Sequence, residues 1–277
     1  MLLSLIRPIS KLVAGCVLCV SVSQTVSAEE FTNFLGMKFV SIPAGSFDMG
    51  VASKTLEASL DELPQRKVRV DDFQIMPTEV TLAQYKRFII ESTKIDMLQD
   101  EFMDTNAHGD NAPVVFVSWN DVRFFLHWIN ENKPESDSGE YMLPTEAEWE
   151  YACRAGGEGL YCGGDSAEEV AWYASKKIGF QQTVARKKPN AFGLYDMSGN
   201  VREWVQDCYH SDYKDAPDDG SVAWNRNCQL RSTYVTRGGS WDEGKDAART
   251  TDRLAAKFNK RDSTIGFRVV RKKSRWE

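Results

Sequence analysis

Two carboxylates, Asp196 and Glu203, flank a Gly199-Asn200 turn inside the stretch from Pro189 to Trp204. Pro189-Asn190 and the spaced glycines Gly193 and Gly199 punctuate a chain that turns repeatedly without a long helix or strand. Phe192, Leu194, Tyr195, Met197, Val201 and Trp204 are large enough to build a core around those turns. Carboxylates and backbone carbonyls presented on a tight loop are hard oxygen donors of the kind that suit Ca²⁺. The same two side chains could instead only accept hydrogen bonds from loop N–H groups, the commoner use of a short acidic loop.

Other chemistry lacks material. His108, His127 and His210 are scattered over a loop, a helix and another loop, which does not make a His-rich iron or zinc site. The chain has no GxSxG elbow, no phosphate loop and no dinucleotide fingerprint. Glu146, Glu148 and Glu150 cluster where a helix begins, and a helix start favours carboxylates without any catalytic role.

The elements that must position these residues are legible in outline. Ile42–Gly50 reads as a strand, a turn and a second strand, and Lys67–Phe73 alternates like a half-buried strand. Thr81 and Gln84 form a capping box ahead of a helix with Tyr85, Phe88 and Ile89 on one face. Ser118 caps a helix through Asn130 with Val122, Phe125, Leu126 and Ile129 inward and Trp119 and Trp128 as core. Thr145 and Glu148 form another capping box, and Gly156-Gly157 ends that helix. Glu91–Asn111 reads as a polar loop. Cys208–Thr233 reads as a surface loop with Trp224 its only large apolar anchor, and Ile265–Val270 as the last strand.

At the N-terminus, Arg7 and Lys11 precede the apolar run Leu12–Val22, and Val26-Ser27-Ala28 fits a small-residue cleavage site. Residues 1–28 therefore read as a cleaved secretory signal, with lipid attachment at Cys16 a minor alternative. Residues 29–277 read as one domain. The run is too short to span a bilayer comfortably, so the mature chain is expected to be periplasmic or secreted and not membrane-spanning. A net charge of −6 excludes a nucleic-acid surface built on excess Lys and Arg. Four cysteines follow the leader, Cys153, Cys162, Cys208 and Cys228. They allow three disulfide connectivities, of which the local pairs Cys153–Cys162 and Cys208–Cys228 are the simplest; buried free thiols are the alternative.

The run Gly193–Trp204, GLYDMSGNVREW, resembles the central motif of the formylglycine-generating enzyme, or sulfatase-modifying factor, family. LPTEAEWEYA at Leu143–Ala152, the opening FDMG…DELP and RGGSW at Arg237–Trp241 extend the likeness along nearly the whole mature chain. Met142 departs from the arginine usual before Leu143. The resemblance implies an α+β, C-type-lectin-like fold with few short helices and strands and much ordered loop. It also implies one structural Ca²⁺, with Asp196 and Glu203 matching side-chain ligands and Gly199 and Val201 matching backbone ligands. Lys176 stands where a first calcium site often has Asn. An ammonium group repels a cation, so that site is expected to be lost.

The family's enzymes oxidise a substrate cysteine with copper held by two cysteines just beyond the RGGSW motif, soft sulfur selecting Cu(I). Those positions are Glu243 and Ala248, and no cysteine occurs from Gln229 to Glu277. No copper and no formylglycine-generating activity are expected. What remains in the family's groove is Ser240, Trp241, Asp242, Glu243, Lys245, Asp246, Arg249 and Arg253. An aromatic among mixed charges fits a peptide or protein contact surface. Arg249 and Arg253 could equally pair with carboxylates of the chain itself.

Two functions follow from the resemblance. One is an exported, non-catalytic binding or regulatory protein that contacts an envelope protein or peptide, like the periplasmic regulator acting upstream of a membrane kinase in type VI secretion. The other is a periplasmic maturation enzyme of oxidase type, like a relative in siderophore maturation, using groove residues such as Tyr234, Glu243 and Asp246.

Overall fold

The computed structural model describes residues 30–52, 59–175, 178–226, 228–229 and 232–273. The leader and Lys176 lie outside them. The fold is α+β, as the sequence predicts, with two main sheets. The first is antiparallel, in the order Glu30–Thr32, Lys38–Ile42, Phe73–Ile75, Val270–Lys272 and Glu140–Met142. The second runs Arg253–Lys257, Thr233–Arg237, Arg202–Cys208 and Ile265–Gly266, with only the last pair parallel. Two short ladders complete it, Gly45–Met49 with Arg66–Val70 and Ala171–Trp172 with Ser198–Gly199.

The stretch read as one last strand is split between the two sheets. Ile265–Gly266 pairs in the second and Val270–Lys272 in the first. Phe267, Arg268 and Val269 bridge them with no exposure to solvent. A short, mostly apolar run cannot reveal that its backbone changes partner midway.

Three helices start at the predicted caps. They are Leu82–Glu91 behind Thr81, Trp119–Asn132 behind Ser118 and Glu146–Arg154 behind Thr145, each closed by a reciprocal capping box. The third ends on Ala155 in the left-handed conformation, followed by Gly156. Two shorter helices were not legible. Asp100–Thr105 lies in the stretch read as polar loop, with only Phe102 buried, and Ala167–Val170 is a single turn. Trp119 and Trp128 are partly buried against the core.

Apolar helix faces meet the sheets in a core where Phe88, Phe125, Tyr85 and Phe267 form edge-on contacts with centroids 5.2 to 6.2 Å apart. Each such ring contributes about 1.5–3 kcal/mol by burial. The Cys208–Thr233 segment has a second anchor that the sequence reading missed. Tyr213 is 2% exposed, and its hydroxyl donates to Glu146 Oε1 at 3.0 Å.

Both local cysteine pairs are disulfides, Cys153–Cys162 with Cα atoms 4.8 Å apart and Cys208–Cys228 with Cα atoms 6.2 Å apart.

The acidic helix start is buried and paired. Glu146 holds Arg253 through two bonds of 2.8 and 2.7 Å, Glu150 holds Arg237 at 2.6 Å, and Glu148 holds Lys272. Arg253 and Arg237 keep Glu146 below the usual carboxylate range although burial opposes them, and Glu62 is held low by Arg249 and Thr251 against the same opposition. Burial, with Glu146 and Glu148 as like charges, pushes neighbouring Asp207 up to about 7.

These shifts set the sign of a pH profile. The folded state of Asp207 binds more protons than the unfolded chain between about pH 4 and 7, so stability falls as pH rises through that window, by up to about 1.4 kcal/mol per pH unit. Glu62 and Glu146 contribute stability above their unfolded value and lose it as pH falls through their folded ones. Urea unfolding is therefore expected to give maximum stability at about pH 4.5, where Glu62 and Glu146 are ionised and Asp207 still holds its proton. Asp207→Asn should flatten the fall toward pH 7, and an unchanged slope would remove Asp207 as its source.

Candidate functional site

The Pro189–Trp204 stretch turns as its sequence predicts. Asn190 ties the turn by accepting from Phe192 N and Leu194 N while donating to Ala152 O and Cys153 O. Asp196, Asn200, Gly193 and Gly199 all take positive φ, from 56° to 77°. Gly199 is obligatory, because any Cβ there would run into the Trp172 carbonyl.

Asn200, fully buried, is the hub. Its N–H donates to Trp172 O at 2.8 Å and its carbonyl accepts from Trp241 N at 2.9 Å. Its side chain accepts from Gln182 N at 2.8 Å and donates to Glu79 Oε1 at 3.0 Å. Asn200 thus fastens the RGGSW segment to the Trp172 strand and the 178–188 loop. Trp172 and Gln182, with Thr183 and Arg186, line an open pocket of about 410 Å³.

Both predicted carboxylates point inward. Glu203 accepts from Arg268 at 2.7 Å on each oxygen and from Trp149 Nε1 at 2.8 Å. Asp196 Oδ2 accepts from Ala185 N at 2.7 Å, whereas its Oδ1 is buried with no hydrogen-bond partner among the described residues, as is Glu79 Oε2. Burial pushes Asp196 up to about 6, with Glu203 adding to the effect and Arg268 opposing it. Glu79 is pushed well above the carboxylate range by burial and then by Asp196.

The fit to a calcium ion is therefore divided. Asp196 offers an open, buried oxygen beside an excess of negative charge, but Glu203 is already committed to a guanidinium. Among the described residues no three His, Cys, Asp or Glu side chains are grouped to hold a metal. A Ca²⁺ here would rely on Asp196, on the Gly199 and Val201 carbonyls, and on Glu203 shared with Arg268.

The predicted groove separates into buried and exposed parts. Arg249 and Arg253 are 6% and 5% exposed and bind Glu62 and Glu146 through paired bonds of 2.7 and 2.8 Å. They play the second of the two roles the sequence allowed. Asp242, Lys245 and Asp246 are exposed, while Trp241 is partly buried with Nε1 donating to Ser263 O at 3.2 Å. Ser240 Oγ donates to Glu243 Oε2 at 2.8 Å.

Glu243 accepts two bonds from Arg202, at 2.7 and 2.9 Å, and Arg202 also binds Asp252 at 2.8 Å. Ala248 is a buried member of a small apolar cluster with Tyr161, Ala167, Val170 and Ala171. The two positions where thiolates would hold copper thus carry an ion-paired carboxylate and a methyl group, neither of them a soft ligand. Arg202, Asp252, Asn200 and Glu79 were not singled out from the sequence. Arg202 stands beside Glu203 in a run of mixed polarity, Val201–Asp207, and nothing local distinguishes it.

Turn-rich backbone, buried Arg–carboxylate pairs and the RGGSW segment around Asn200 define a sulfatase-modifying-factor scaffold with no thiolate at positions 243 and 248. Residues 24–273 match the sulfatase-modifying factor enzyme 1-like domain, and the chain belongs to that family. It is 29% identical to mouse formylglycine-generating enzyme over 61% of this chain and 58% of that one. It is also 29% identical to the serine/threonine-protein kinase pkn1 of Chlamydia pneumoniae, over 84% of this chain but 38% of that one. The chain therefore spans less than two thirds of the length of each of these relatives. The structure of PvdO from Pseudomonas aeruginosa superposes with a TM-score of 0.75 at 29% identity, covering 88% of this chain and 98% of that one.

Proposed function

We propose that this chain is an exported, non-catalytic binding or regulatory protein that uses the family scaffold to contact an envelope protein or peptide. The observation that carries the reading is the ion-paired Glu243 and the buried Ala248 at the two positions where the family's enzymes have copper-holding thiolates. Exposed Asp242, Lys245 and Asp246 form the contact segment. The two disulfides fit an oxidising compartment, and among the described residues no helix is long and apolar enough to cross a membrane. Regulation of a secretion system through a membrane-kinase partner is the specific form we favour, since kinase-named relatives carry the matching region within a longer chain.

The test is a pulldown from the organism's own envelope extract with the mature protein, alongside elemental analysis. A co-purifying envelope protein lost with Asp242→Lys and Asp246→Lys, and no copper or iron, is the expected result. Stoichiometric copper, iron or an organic cofactor would overturn it. That outcome would favour the maturation-enzyme reading, supported by the near full-length likeness to PvdO. Of its candidate residues, Tyr234 is buried under Trp119 and Glu243 is ion-paired, leaving Asp246 exposed.

A single structural Ca²⁺ at Asp196, Gly199, Val201 and Glu203 is part of the same proposal. Millimolar Ca²⁺ is expected to raise the melting temperature above that in EDTA, with Mg²⁺ having little effect. Asp196→Gly keeps the positive φ and should abolish the Ca²⁺ response. A response unchanged in that variant places the ion elsewhere.

A further inference from the structure

Away from the Ser240–Arg253 segment, the Trp119–Asn132 helix and the sheet-edge strand Glu140–Met142 enclose a groove of about 630 Å³. Its floor is apolar, made by Leu126, Tyr141 and Leu143, and Phe124 stands on the rim 57% exposed. Arg123 and His127 line the helix side. Among the described residues no Asp or Glu lines this part of the groove, although the chain carries 40 acidic against 34 basic residues.

Arg123 is held ready. Its guanidinium lies 5.3 Å from the centroid of the Trp119 ring, and among the described residues that ring, rather than a carboxylate, is its partner. Trp119 is itself fixed, stacked on Tyr234 at 3.8 Å and donating through Nε1 to Val205 O at 2.9 Å. A guanidinium seated on a ring with no counter-ion is a prepared carboxylate receptor.

Amides face the groove from the other wall. Gln206 spends its Nε2 on Leu143 O and Asn225 its Oδ1 on Cys208 N, leaving Gln206 Oε1 and Asn225 Nδ2 toward an incoming main chain. The groove continues past Met142, Gln206 and Asn225 into a second pocket of about 360 Å³, whose charged lining is Glu140 with Lys272 and Lys273. That elongated shape suits an extended chain better than a compact molecule.

We propose that this groove docks an extended peptide segment of a partner protein carrying a large apolar side chain next to a carboxylate. The apolar group packs beside Phe124 over the floor, the carboxylate pairs with Arg123, and the amides engage the peptide main chain. The proposal rests on the binding reading above and gives it a surface distinct from the Asp242–Asp246 segment.

The probe is an end-blocked, fluorescein-labelled peptide, Gly-Ser-Asp-Phe-Asp-Ser-Gly, with versions carrying Lys for both Asp or Ala for Phe, read by anisotropy. Saturable binding of the first peptide, at least tenfold tighter than either version, is expected. Phe124→Ala and Arg123→Glu, both at exposed positions, should each weaken it at least tenfold, and Asp246→Lys should not. Equal binding of the three peptides, no saturable binding, or wild-type affinity in both variants overturns the proposal. An envelope partner captured equally by wild type and the double variant also overturns the groove, while sparing the binding reading. Stoichiometric copper or iron beside intact peptide binding would do the reverse.

Discussion

Arg268→Met is expected to lower the unfolding free energy by about 3–5 kcal/mol, the largest effect of any single substitution considered for this chain. Arg268 has no exposure, and both oxygens of Glu203 depend on it at 2.7 Å. Its Nη atoms also donate to Met76 O and Tyr195 O, which pins the central turn to the chain between the two sheets. Methionine fills much of the volume but leaves Glu203 with Trp149 Nε1 alone, beside the orphaned oxygens of Asp196 and Glu79. A buried charge stripped of its partner costs far more than the pair contributes, so Arg268→Met/Glu203→Gln should recover part of the loss. Urea unfolding measures both. A single-variant loss below about 1 kcal/mol would mean that the cluster is neutral, or is held by something other than Arg268.

Removal of the disulfides should come second. Closing loops of 9 and 20 residues' separation restricts the unfolded chain by about 2.5–3.5 kcal/mol each at 25 °C. Cys153→Ser/Cys162→Ser and Cys208→Ser/Cys228→Ser are expected to destabilise separately and nearly additively, since the bridges lie in different core clusters. Reduction with dithiothreitol should reproduce the four-serine protein. If reduction leaves the denaturant midpoint unchanged, the loops are held by their hydrogen bonds and the bridges add nothing. The first bridge ties the end of the Glu146–Arg154 helix to a loop beside Ser198, whose hydroxyl accepts from Cys162 N at 3.0 Å. Its loss should therefore also loosen the central turn.

By itself the sequence determined the caps, apolar faces and turns that depend on a few neighbours along the chain. The three capping boxes at Thr81, Ser118 and Thr145 lie within a single turn, as do the apolar faces that follow them, so local composition dictates them. The turns around Gly193 and Gly199 needed only residues tolerant of positive φ, and the local cysteine pairs needed only short loops. That Glu243 and Ala248 are not thiolates was likewise legible, because it is a matter of residue type alone.

Only the tertiary structure decided what the charges do. Arg249 meets Glu62 across 187 residues, Arg253 meets Glu146 across 107, and Arg268 meets Glu203 across 65. An arginine in a loop reads as solvated or as a contact residue until the topology supplies its carboxylate. The split of the last strand between two sheets, the placing of Arg202 against Glu243 and the groove under Phe124 have the same origin. Each joins segments far apart in sequence, and no local pattern of burial or propensity carries the identity of a distant partner.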